Sequence, residues 1–79
     1  MGIAMKLEEL FATVLREPVS RLSNEASPTT VRSWDSLRHI ELVMAAEAQY
    51  GVRFETSEVV TIRSLGGMRE LLQRKGITA

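Results

Sequence analysis

Apolar residues recur at intervals of three and four between Met5 and Glu17, where Leu7, Leu10, Phe11, Val14 and Leu15 alternate with Lys6, Glu8, Glu9 and Arg16. That period predicts an amphipathic helix with one buried face. Pro18 ends it, because proline lacks the ladder N–H and disfavours helical geometry in the residue before it. From Val19 to Asp35 neither helical nor strand period survives, and Ser, Thr, Asn and Pro dominate. This predicts a long polar loop, with a turn of helix allowed from Arg21 to Glu25 and with Leu22 and Val31 pinning it to the core. So long a loop in so small a chain is functional, self-packed or hides an element.

The next stretch, Ser36 to Tyr50, predicts a second helix with two apolar sides. At about 100° per residue, Leu42, Val43, Ala46 and Tyr50, with His39, share one side. Leu37, Ile40, Met44 and Ala48 share the other, bordered by Glu41 and Glu47. A helix in a small bundle needs one buried face, so the second stripe means either full burial or a surface kept for a partner. The bordering charges favour the partner, and methionine suits adaptable contacts. Gly51 supplies a helix stop. Val52 and Phe54 then turn inward on an extended link, and Thr56 to Val60 predicts a short third helix with Val59 and Val60 as its apolar contacts. Ile62, Leu65, Met68, Leu71 and Leu72 predict a last helix from Ile62 to Lys75, ended by Gly76. Gly66 and Gly67 within it imply either close packing of the first turn or a later start, since each costs roughly 1 kcal/mol against alanine. The fold class is all-α: a small four-helix bundle, three main helices and one short one, with a long first loop.

Composition narrows the function. A chain of 79 residues, 44% hydrophobic and 25% charged, is one domain spanning residues 1–79, with too small a core for a deep catalytic pocket. Without cysteine and with one histidine, disulfides and thiolate or multi-histidine metal sites are excluded, and no metal ligand set is assigned. Ten scattered basic residues balance ten acidic ones, so nucleic acid is not expected as a partner. No apolar run is long enough to span a bilayer, the N-terminus lacks a signal-peptide pattern, and Lys6 stands where a myristoylated Gly2 would want Ser or Thr. A cytoplasmic monomer without a membrane role is expected.

The candidate chemistry lies at Trp34-Asp35-Ser36-Leu37, where the polar loop meets the second helix. A serine there is exposed at the positive end of the helix dipole, beside free backbone N–H groups, and a phosphate ester on its hydroxyl would be well placed. The plainer alternative is that Ser36 or Asp35 only caps the helix. Ser36, His39 and Asp35 share the letters of a hydrolytic triad, but the sequence supplies neither an oxyanion hole nor a shielded site, so catalysis is not expected. His39 reads as a half-buried residue packing on Trp34, and Trp34 as a loop anchor.

Asp35-Ser36-Leu37 opening a helix that runs Ile40-Glu41-Leu42-Val43 and ends Glu47-Ala48-Gln49-Tyr50-Gly51-Val52-Arg53-Phe54 resembles the acyl carrier proteins, and the likeness extends over nearly the whole chain. The resemblance implies that a phosphopantetheinyl transferase attaches 4′-phosphopantetheine from coenzyme A to Ser36, and that the arm's thiol holds acyl groups as thioesters. It implies that Asp35 helps present the serine to the transferase and its metal. Leu37, Ile40 and Met44 would dock partner enzymes such as a ketosynthase or acyltransferase, with Arg38, Glu41 and Glu47 as charged contacts. Phe11, Leu42, Ala46, Tyr50, Phe54, Ile62 and Leu65 would be core. Carriers of fatty-acid synthesis are strongly acidic and usually bear an acid just after Asp-Ser-Leu. Arg38, followed by His39, and the zero net charge depart from that pattern, and Trp34-Asp35-Ser36-Leu37 with His39 looks more like discrete carriers of polyketide or other specialised metabolism. The rival is an unmodified helical interaction module that binds through Leu37, Ile40 and Met44.

Overall fold

The computed structural model describes residues 6–79, in which four helices follow one another: α1 Leu7–Leu15, α2 Ser36–Tyr50, α3 Thr56–Val59 and α4 Leu65–Arg74. Met5, the expected first residue of the opening helix, lies outside the described residues, as does Gly2. α1 starts behind Lys6, whose N–H donates to the Glu9 carboxylate (3.2 Å). It stops at Leu15, two residues short of Glu17. Arg16 turns left-handed (φ 59°), and the Arg16 and Glu17 N–H groups both return to the Ala12 carbonyl. The chain has therefore left the helix before Pro18, which instead precedes a 3-10 turn at Val19–Arg21. That turn sits just ahead of the Arg21 to Glu25 stretch where one was allowed.

α2 runs over the residues its pattern predicts and ends at Gly51, whose φ of 64° is the left-handed conformation glycine adopts without a Cβ penalty. α4 begins three residues later than expected. Ser64 accepts from the Gly67 N–H (2.9 Å) and caps the helix, so Ile62 is a buried residue of the preceding link rather than of the helix. Both meanings of the glycine pair hold, since the start is late and the first turn is tightly packed. A Cβ on Gly66 would lie 3.0 Å from both the Cβ and the carbonyl oxygen of Asn24.

α1 packs across α2 and α4. Its buried residues are Leu7, Leu10, Phe11 and Leu15, facing Leu42, Val43 and Ala46 of α2 and Leu65, Met68, Leu71 and Leu72 of α4. The long loop adds Leu22, Ala26, Val31 and Trp34 to this core, so it is packed rather than structureless. Leu22 and Val31 pin it as the pattern requires. Phe11, Leu42, Ala46, Phe54, Ile62 and Leu65 are buried as expected, whereas Tyr50 is half-buried at the edge. There burial pushes its phenol pKa up. Val59 is half-buried and Val60 two-thirds exposed, so the short helix does not turn both valines inward.

Candidate functional site

Asp35 and not Ser36 is the cap of α2. Its carboxylate accepts the Arg38 N–H (2.8 Å) and its carbonyl the His39 N–H (2.9 Å). Ser36 is therefore the first helical residue, exposed, with a hydroxyl that makes no hydrogen bond among the described residues. The N–H groups of Ser36 and Leu37 fall among the helix-start donors that have no partner within the helix. A phosphate ester on Ser36 would meet these donors at the positive end of the dipole, so the residues present fit such a group.

Beside Ser36 lies an open groove of about 580 Å³ lined by Pro28, Trp34, Asp35, His39, Ile40 and, across from them, Val59, Val60 and Ile62. Its floor is rigid. Trp34 is 3% exposed, meets Phe11 edge-on at 5.3 Å and is nearly coplanar with the His39 ring. Indole N–H can only donate. The 3.0 Å contact from Trp34 Nε1 to His39 Nδ1 therefore places the imidazole hydrogen on Nε2, which donates to the Val59 carbonyl (3.0 Å). His39 packs on Trp34 as the sequence suggests, but its bond to α3 had no signal in the pattern, because Val59 is twenty residues away.

Past Ser36, Leu37, Ile40 and Met44 form an exposed strip along α2, with accessibilities of 66%, 49% and 62%. The side chains flanking it are engaged within the molecule. Arg38 Nη1 meets Glu41 Oε1 at 3.0 Å, and Glu47 Oε2 accepts the Phe54 N–H at 2.8 Å, tying the end of α2 to the link before α3. Together with the Asp35 cap, each acid expected at this surface holds an intramolecular partner. Among the described residues no cluster of His, Asp or Glu could hold a metal ion, and no helix is long and apolar enough to cross a membrane.

No family model matches the chain. Curated relatives do. It is 37% identical over 70 residues to the polyketide-8 synthase acyl carrier protein 2 of Streptomyces avermitilis, an alignment covering 89% of this chain and 80% of the relative. An acyl carrier protein of Acidothermus cellulolyticus is 32% identical over 73 residues, covering 92% of this chain and 87% of the relative. One from Saccharopolyspora erythraea is 33% identical over 66 residues, covering 84% and 70%. An all-helical bundle with a capped, solvent-open serine at the head of its longest helix, and three such relatives aligned over most of their length, places the chain in the acyl carrier protein family.

Proposed function

We propose that this chain carries an acyl group as a thioester on a 4′-phosphopantetheine arm at Ser36, and passes it between enzymes of polyketide or related specialised assembly. The position of Ser36 supports this: exposed, first in its helix, free of the cap role, and set between the groove and the apolar strip. In the attachment step the Ser36 oxygen attacks the β-phosphorus of coenzyme A. A phosphodiester forms, adenosine 3′,5′-bisphosphate leaves, and the serine proton passes to a base of the transferase. The chain does no chemistry itself; it presents the oxygen and the docking strip. The polyketide setting draws on the printed name of the Streptomyces relative and on Arg38 following Asp-Ser-Leu.

Docking by a ketosynthase, acyltransferase or transferase would use Leu37, Ile40 and Met44. Asp35, Arg38, Glu41 and Glu47 would orient the approach: Arg38 offsets Glu41, while Asp35 and Glu47, bonded only to backbone N–H groups, keep their charge and leave the border of the strip net negative. Association with a basic partner face should then slow as ionic strength rises.

The test is intact-protein mass after incubation with coenzyme A, magnesium and a broad-specificity phosphopantetheinyl transferase. Wild type should gain one phosphopantetheine and Ser36→Ala none, with the thermal midpoint unchanged because Asp35 holds the cap. An unmodified wild type that is folded would leave the interaction module as the better account, and that module should fail on Met44→Glu and ignore Ser36→Ala.

A further inference from the structure

α3 is four residues long and buries none of its side chains. Val59 packs half-buried against the core, and two polar ties hold the helix beside it: Lys75 Nζ on Glu58 (3.0 Å) at one side and the His39 imidazole on the Val59 carbonyl at the other. The second tie crosses the seam between α2 and α3, directly under the groove beside Ser36. The imidazole is satisfied at both nitrogens, with Trp34 behind it, and the Val59 carbonyl also accepts the Ile62 N–H (3.3 Å).

We propose that His39 is a cross-strut that seals this seam, so that an acyl chain tethered at Ser36 lies along the outer groove and stays out of the core. This rests on Ser36 carrying the arm. A hydrocarbon entering between α2 and α3 has to push the imidazole aside. That would leave the nearly buried Trp34 N–H, both imidazole nitrogens and one lone pair of Val59 facing alkyl surface, the costly way to bury polar groups. The groove asks for no such sacrifice. Ile40 and Val60 form exposed apolar walls at its rim, and Trp34 and Ile62 an apolar floor. His39 is thus a positioning residue that decides where cargo rides, and the carrier suits short or polar acyl units that gain little from a hydrophobic interior.

The experiment loads the full chain with acetyl, butyryl and octanoyl coenzyme A through the same transferase, verifies loading by mass, and follows amide and methyl resonances. In wild type, octanoyl should shift Ile40 and Val60 at the rim and leave Leu42 and Ala46 in the core unmoved. In His39→Ala, octanoyl should reach Leu42 and Ala46. His39→Gln, whose amide can accept from Trp34 and donate to Val59, should restore the wild-type pattern; a purely space-filling role would not distinguish it from other side chains of its size. Core shifts in octanoyl-loaded wild type would overturn the proposal, as would His39→Ala behaving like wild type. Without any loading the mass shows that the arm assignment has failed. The strut is then judged separately by exchange of the Ile62 amide, expected to quicken about ten-fold in His39→Ala and to recover in His39→Gln. Exchange unchanged by His39→Ala would overturn it.

Discussion

The heads of α2 and α4 are built alike and end up opposite. Each helix starts behind a short polar cap that accepts the N–H three residues on: Asp35 from Arg38 at 2.8 Å, Ser64 from Gly67 at 2.9 Å. Each then places a small residue or two and a leucine in its first turn. At α4 the long loop closes over the end. The Leu65 N–H donates to the Ala26 carbonyl and the Gly66 N–H to the Asn24 carbonyl, both at 3.0 Å, and Leu65 is fully buried. Arg69 then clamps the loop and α1 to α4, reaching Asn24 Oδ1 at 2.6 Å and Glu8 Oε2 at 2.5 Å. At α2 no other described residue covers the end in this way: Ser36 is exposed and Leu37 is two-thirds exposed. Local capping chemistry starts a helix; what the rest of the chain lays over the start decides whether that end is structure or site.

Filling the covered end should break the comparison most severely. Gly66→Val puts a branched Cβ where Asn24 already stands at 3.0 Å, and should lower the unfolding free energy by about 2–3 kcal/mol in urea melts. The caps come next. Ser64→Ala should cost roughly 1–2 kcal/mol because Ser64 is half-buried at the covered end, against about 1 kcal/mol for the exposed Asp35→Ala, where solvent takes over. Equal losses would mean the loop does not shield the α4 head.

Acid should loosen the covered end. The hydrogen bond from Arg69 holds the Glu8 carboxyl below its usual 4.5. A carboxyl depressed in the folded state contributes stability that is fully present above the unfolded value and is lost as pH falls through the folded one. The stability gap between wild type and Glu8→Gln should therefore be full at neutral pH and close below about pH 4.5, read from denaturant midpoints across pH. A gap constant into acid would show that the Arg69 clamp does not depend on the Glu8 charge. The smallest effect belongs to the open end: Leu37→Ser or Met44→Ser should leave stability within about 0.5 kcal/mol of wild type while weakening docking of partner enzymes.

Much of the bundle was legible because helix periodicity and helix stops are local. The stripe of Leu7, Leu10, Phe11 and Leu15 marked the buried face of α1, and Gly51 marked the end of α2. Boundaries failed where a local signal competed with a stronger one nearby. Arg16 turned left-handed before Pro18 could act, and Ser64 capped α4 after the apolar period had already begun at Ile62. Tyr50 packs against the core on the side its period gave but stays half-buried, because periodicity gives a direction around a helix axis and not the distance to the next element; Val60, just past a helix of four residues, is exposed.

For the site, the serine, its acidic neighbour and the second apolar stripe of α2 were all present in the chain order. Which stripe faced inward was not. Leu42, Val43 and Ala46 are inside because α1 packs there, and Leu37, Ile40 and Met44 are outside because no described element does. The sequence by itself determined the helices, their class and the serine at the loop junction, since these depend on neighbours within a turn or two. The tertiary structure alone decided that Asp35 is the cap, that the loop covers α4 and leaves α2 open, and that His39 joins Trp34 to Val59. The cap is a choice between adjacent residues that only backbone geometry makes, and the other two are contacts between segments far apart in the chain, which no local pattern encodes.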